Sequence, residues 1–437
     1  MTKFSNDNFL NVCTFGATGD GTTLDMAALQ AALDACQRQG GGTVFVPAGR
    51  YVTGPLFLHS HTTLHLDAGA CLLGSEDIAH YPVLDGRWEG KTQPAYASLI
   101  GGQQLENVTI TGRGTVDGRG AHWWQRFREK SIAYPRPRLI GLAACRNVLI
   151  ENVTLINSPS WTVNPVRCEN VTVRGITIDN PPDSPNTDGI NPDSCRWVRI
   201  SDCHISAGDD CITLKSGVEA EAPELRVPCR DIAITNCTLA RGHGGVVIGS
   251  EMSGNVQNVV IANCIFIGTD RGIRLKSRRG RGGVVEDIRA TNLIMEGVRC
   301  PLTMNLYYAC GAWGDAQVAD RDAHPVDAGT PHFRRIHIGQ ISARQVTLAA
   351  GFLYGLAEAP VEDISLTDVS ISLAGEAEAS QVEMADGLEP MCRAGFFVRN
   401  ARSVRLERVD IRGQEGPALL IADCSDVRVD GKLFQSS

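Results

Sequence analysis

No stretch of the 437 residues is long and apolar enough to span a bilayer. No basic run is long enough to point to a nucleic acid. With 41 basic residues against 49 acidic ones the formal net charge is -8, so a polyanionic ligand would have to be met by a local basic patch. Aromatic residues are scarce, at 6%, whereas glycine reaches 46 residues; that balance suits β-branched strands joined by many tight turns. Met1 to Cys13 lacks the charged start, apolar core and small-residue cleavage site of a secretory signal. The expectation is a cytoplasmic protein, or a secreted one whose leader has been removed. The 15 cysteines are an odd number scattered along the chain, and none has the close paired spacing of a zinc site. Reduced buried thiols are expected, not a disulfide framework. No nucleotide-binding loop is found, and nothing calls for a cofactor or a resident metal.

Length alone would suggest two or three domains, but a repeat fold escapes that estimate because each unit packs only on its neighbours. From about Leu105 the chain repeats itself. Glu106-Asn107-Val108-Thr109-Ile110 returns as Arg146-Asn147-Val148-Leu149-Ile150 and Glu169-Asn170-Val171-Thr172-Val173, then as Arg196-Trp197-Val198-Arg199-Ile200. Arg230-Asp231-Ile232-Ala233-Ile234 and Gln257-Asn258-Val259-Val260-Ile261 follow, with later copies near Ile364 and Val404. The period is roughly 25 residues, within the range of solenoids. Five residues past Val148, Val171, Val198, Ile232 and Val259 come Val153, Ile176, Cys203, Cys237 and Cys264, the signature of one inward-facing row. Cys145, Cys168, Cys195 and Cys229 form a second row. These features predict an all-β, right-handed parallel β-helix. Leu24 to Gln39, with Leu29, Ala32, Leu33 and Cys36 on one face, reads as a helix that caps the open end. Residues 1–104 are then the cap and first coils, and 105–437 the β-helix proper, effectively one domain.

Extending the same alignment stacks Asp188-Gly189-Ile190 with Asp210-Cys211-Ile212 on adjacent coils. Asp209 and His243 occupy matching positions one residue earlier. Arg274 falls on the row of Thr213 and Val247, and Lys276 on the row of Lys215 and Gly249. One face would carry three carboxylates, a histidine and a cationic cluster. Taken singly, each aspartate is more often a turn or capping residue; their convergence is what points to chemistry. Glycosidic cleavage needs a protonated acid at the leaving oxygen and a carboxylate opposite it, and crowded carboxylates favour retention of a proton. Fixed cations suit a substrate carboxylate. Lys276-Ser277-Arg278-Arg279-Gly280-Arg281 reads as a solvated loop or, from its place beside the acids, an anion-binding rim. Trp123 and Trp124 could stack on sugars, but packing on the flank is the commoner use of such a pair.

The strings Asn186-Thr187-Asp188, Gly208-Asp209-Asp210, Gly242-His243-Gly244 and Arg274-Leu275-Lys276 resemble, in order, the four signature motifs of glycoside hydrolase family 28, the polygalacturonases. Only Leu275 departs, where isoleucine is usual. Phe15-Gly16-Ala17, Gly40-Gly41-Gly42-Thr43-Val44 and Pro47-Ala48-Gly49 resemble the family's bacterial members. The resemblance covers most of the chain and weakens beyond about Gly311. It implies inverting hydrolysis of α-1,4 links between galacturonates. By it Asp209 is the general acid, Asp188 and Asp210 together the base, and His243 a support for the acid's protonation. Arg274 and Lys276 hold the sugar carboxylate, Asn186 supports the site by hydrogen bonding, and Tyr307, beside Tyr308, is the subsite tyrosine.

The partner expected is pectin or an oligogalacturonate, with neither nucleic acid nor membrane. Imported oligogalacturonates would suit exo attack. The competing readings are a pectate-lyase-like elimination in which the aspartates bind calcium, a rhamnogalacturonan or xylogalacturonan hydrolase, and a non-catalytic carbohydrate-binding β-helix.

Overall fold

The computed structural model describes residues 8–434. The first seven residues, part of the stretch read for a leader, and the last three lie outside it. Contacts divide the chain into two compact units, residues 1–209 and 210–437. Each is wound as a right-handed parallel β-helix.

In the first unit the repeats stack in the register their sequence predicts. Val108 pairs with Val148, Val148 with Val171, and Val171 with Val198. All four are buried, as are Val153, Ile176 and Cys203. A one-residue slip would turn this row outward, so the apolar alternation pins the register. The asparagine before each valine has its own reason. Asn107, Asn147 and Asn170 all sit in the left-handed region, with φ of 56, 55 and 56°, a conformation asparagine tolerates better than most residues. Their amides then form a ladder: Asn147 Nδ2 donates to Asn107 Oδ1 at 3.0 Å, and Asn170 Nδ2 to Asn147 Oδ1 at 2.7 Å. The cysteine row also stacks. The amides of Cys145 and Cys168 each point at the sulfur one coil on, at 3.4 Å. None of the 15 cysteines is in a disulfide, and the structural role explains their number.

The expected helix runs Met26–Arg38 and buries Leu29, Ala32, Leu33 and Cys36. Asp25 does not cap it; its carboxylate instead accepts from Thr18 N at 2.7 Å and Gly19 N at 3.1 Å, tying the preceding turn to the helix start. A second helix, Ala121–Arg128, buries Trp123 and Trp124. The tryptophan pair is packing, not a sugar platform.

Each unit presents one wall of parallel strands. In the first it comprises Leu56–Phe57, Ile100–Gln103, Ile140–Ala143 and Val163–Val166, extended by bridges from Val163 to Ile190 and Val166 to Asp193. In the second it runs from Ile212–Leu214 through Val246–Gly249, Arg271–Lys276 and Cys300–Asn305 to Glu415–Ala422. Val247 pairs with Arg274 and Gly249 with Lys276, as the alignment predicts. Buried Ile232 and Val259 pair likewise.

Candidate active site

In the first unit Asp188 is buried and Asp209 half-buried, and a carboxylate oxygen of each lies within 4.8 Å of the other. The backbone explains the approach. The Asp188 carbonyl accepts from Thr162 N at 2.8 Å, which locks the residue to the coil before, and its Oδ2 accepts from Asn191 Nδ2 at 3.1 Å. Gly208 N donates to Thr187 Oγ1 at 3.2 Å. A Cβ on Gly208 would lie 2.3 Å from the Ser184 carbonyl oxygen, so only glycine lets Asp209 come this close. Asn186, at φ 54°, turns its Oδ1 to Arg136 Nη2 at 2.6 Å. Arg136 also donates to the carbonyls of Pro159 and Pro185 at 2.8 and 2.7 Å, which clamps the loop before Asp188. Burial pushes the Arg136 guanidinium down to about 10, opposed by Glu89, Asp188 and Asp209. Sequence reasoning passed over Arg136; the only signal was its place in Arg136-Pro137-Arg138, next to the strand that starts the wall.

In the second unit Asp210 is buried between cations. Lys276 Nζ donates to its Oδ2 at 2.8 Å and Arg274 Nη1 stands 3.6 Å from its Oδ1. A Cβ on Gly244 would come within 3.0 Å of Asp210 Oδ1, so the glycine after His243 clears room for the carboxylate. His243 itself is exposed, in the loop ahead of Val246–Gly249. Tyr308 is the tyrosine beside this cluster, with Arg274 at 5.6 Å and Lys276 at 5.2 Å from its ring centre. Tyr307 faces elsewhere, against Tyr354 at 4.6 Å and Arg321 at 4.0 Å.

The residue that sequence reasoning missed altogether is Glu383. It is fully buried and takes Arg274 in a bidentate grip, Oε1 to Nε at 2.9 Å and Oε2 to Nη2 at 2.8 Å. Thr303 Oγ1 donates to it at 2.8 Å, and Arg271 lies 3.7 Å away. Burial alone would raise the Glu383 carboxyl, but Arg274 and then Arg271 outweigh it and hold it down to about 2. The planar fork of Arg274 is therefore engaged within the protein, and Nη1 is the nitrogen turned to Asp210. The arginine run after Lys276 is neither a solvated loop nor an anion rim. Arg279 is buried on Glu358 at 2.6 Å and Arg281 on Glu219 at 2.6 Å. Lys215, too, is buried, against Glu251 at 2.8 Å.

Comparison with known proteins places this geometry. The sequence profile of glycosyl hydrolases family 28 matches residues 36–387. A probable polygalacturonase of Vitis vinifera is 39% identical over 83% of this chain and 74% of its own. An endo-polygalacturonase of Pectobacterium carotovorum is 31% identical over 64% of this chain and 72% of its own. Among solved structures, a hyperthermoactive exopolygalacturonase from Thermotoga maritima superposes with a TM-score of 0.78 at 30% identity, covering 93% of this chain and 92% of that one.

Proposed function

We infer that this chain, which belongs to glycosyl hydrolases family 28 and is a glycosidase, hydrolyses α-1,4 links of polygalacturonate by single displacement with inversion, from the chain end. The observation that carries the reading is the carboxyl pair Asp188 and Asp209, one buried and one half-buried, with oxygens within 4.8 Å. Two carboxylates this close repel, and a proton shared at the pair relieves the repulsion. That supplies a protonated acid and a carboxylate partner, which glycosidic cleavage needs. We assign Asp209, the more accessible of the two, as the acid that protonates the leaving oxygen. Asp188 with Asp210 draws the proton from the attacking water, and His243 supports the acid's protonation. These roles follow the order of the family's motifs.

Inverting glycosidases usually keep about 6.5–9.5 Å between acid and base carboxyls, and retaining ones about 5–5.5 Å. The 4.8 Å limit for Asp188 and Asp209 applies to one oxygen of each and does not set the separation of the carboxyl groups. The inverting assignment therefore rests on the family and not on this spacing. Lys276 and Arg274 Nη1 supply fixed positive charge for the sugar carboxylate beside the cut, while Glu383 holds the rest of Arg274 in place. Exo attack is supported by likeness to the Thermotoga exopolygalacturonase over nearly its full length. In the second unit the segment around Glu383 also lies over the wall, with Arg271 donating to the Val382 carbonyl at 2.9 Å and Asn305 to that of Met384 at 3.4 Å.

Replacing Asp209 with Asn tests the assignment. Turnover of polygalacturonate should fall by about 10²–10⁴-fold, the usual worth of a positioned acid, with ligand affinity retained. Full activity in that variant would remove Asp209 from the mechanism. A product time course on a defined oligomer tests the mode: single-unit release from the outset supports exo attack, and mixed lengths reject it.

A further inference from the structure

Two coils before Asp188, the wall of the first unit carries a buried guanidinium whose Nε and Nη2 have no hydrogen-bond partner. Ile140 pairs with Val163 and Val163 with Ile190. Leu139 N bonds to the Trp161 carbonyl at 3.2 Å and Thr162 N to that of Asp188 at 2.8 Å, so Arg138, Trp161 and Asp188 share one register row. At about 4.8 Å per parallel strand, Arg138 stands about 9.6 Å along the wall from Asp188. Its side chain lines a cavity of about 200 Å³ beneath the hairpin of strands Val83–Trp88 and Lys91–Tyr96.

Arg138 is only 6% exposed, yet among the described residues its guanidinium makes no hydrogen bond or ion pair. Nε and Nη2 are buried without partners. Its neighbours differ. Arg87 is paired with Asp193 at 2.7 Å, and Arg136 is spent on two carbonyls and Asn186. Arg138 has the rings of Trp88 and Trp161 at 5.5 and 5.3 Å, and burial pushes it down to about 10 against the charge of Asp193, which is already bound by Arg87. A buried guanidinium that bonds no anion directly is disfavoured, so a ligand that brings a carboxylate gains by supplying it. The same cavity holds a complementary acceptor. Asn164 donates through Nδ2 to the Asn191 carbonyl at 2.7 Å, but its Oδ1 is buried without a partner. Gly101, Gly102 and Gly141 line the cavity without side chains, and a Cβ on Gly141 would lie 2.2 Å from Ser98 Oγ and 3.5 Å from Arg138 Cδ.

We propose that Arg138 and Asn164 form a carboxylate-binding subsite for a galacturonate unit of the substrate, two coils along the wall from Asp188. The guanidinium takes the carboxylate and Asn164 Oδ1 accepts from a sugar hydroxyl. This rests on the hydrolase reading and adds to it a reason for preferring acidic chains over neutral ones away from the cut.

The test compares kcat/KM on galacturonate oligomers of increasing length for wild type, Arg138→Gln and Arg138→Lys. In the Gln variant the advantage of a long oligomer over the dimer should shrink by at least about tenfold, the worth of a charge-assisted hydrogen bond. Lys, which keeps the charge, should recover part of it. A folding defect would lower every length alike. Oligomers in which carboxylates beyond the two units at the cut are reduced to neutral galactose make the same comparison on the wild-type protein. Wild type should lose the same factor on them and the Gln variant none further. An unchanged length dependence in the Gln variant, or a wild type indifferent to the reduction, overturns the subsite. A wild type that cleaves no galacturonate oligomer at all overturns the hydrolase reading instead.

Discussion

Replacing Glu383 should damage both stability and chemistry, because one buried carboxylate serves two arginines. It has no exposure and accepts from Arg274 Nε and Nη2 at 2.9 and 2.8 Å and from Thr303 at 2.8 Å. Removing one partner of such a pair leaves uncompensated buried charge, which costs about 3–5 kcal/mol. For a chain of 437 residues Glu383→Ala should lower Tm by on the order of 3–5 °C. Glu383→Gln keeps an acceptor and the shape, so it should lose less stability. It should still lower kcat/KM, because Arg274 Nη1 is no longer fixed 3.6 Å from Asp210 Oδ1. The pair also sets an acid limit. The Glu383 carboxyl is held at about 2 instead of its ordinary 4.5, Arg274 and Arg271 overcoming the opposing effect of burial. A depressed carboxyl contributes stability above about 4.5 that is lost as the pH falls towards about 2. Glu251, held at about 2 by Lys215 and Arg281 against burial, adds to the same window. Tm measured against pH should therefore drop between those values, and less steeply in Glu383→Gln. A Glu383→Ala protein with wild-type Tm, acid profile and kinetics would refute the reasoning.

Gly208→Ala should cut turnover by about 10²-fold, as expected when a catalytic group shifts by about 1 Å, because the added Cβ would meet the Ser184 carbonyl at 2.3 Å. Steady-state kinetics with an intact fold by circular dichroism would check it. Of the thiols, only Cys13 and Cys310 are exposed, so a thiol reagent should modify those two first on the native protein. Burial pushes Cys300 up to about 12, and it should react only after unfolding.

The repeat was legible because its causes are local. Asparagine at the left-handed turn positions 107, 147 and 170 and the alternation around Val108, Val148 and Val171 recur at fixed spacing, and the pairing follows them. The row that places Arg274 beside Val247 followed from the same alternation. What stayed hidden depends on partners far along the chain. Glu383 reaches Arg274 across 109 residues from a segment with no repeat pattern. Arg279 and Arg281 read as solvated or as a rim because Glu358 and Glu219, which bury them, are equally remote. Between Tyr307 and Tyr308 the one-residue difference decides whether a ring meets Arg274 and Lys276 or Tyr354 and Arg321, and strand alternation fades at the end of Cys300–Asn305. Arg138 was passed over because what sets it apart is the lack of a partner, which no motif encodes.

The most direct measurement is the anomeric form of the first sugar released, followed by proton NMR during the opening turnovers on polygalacturonate. Single displacement at an α link predicts that the β-anomer appears first and the α-anomer grows in only by mutarotation. Initial release of the α-anomer, or of an unsaturated uronate, would contradict the assignment of Asp209 as acid against a water activated by Asp188 and Asp210.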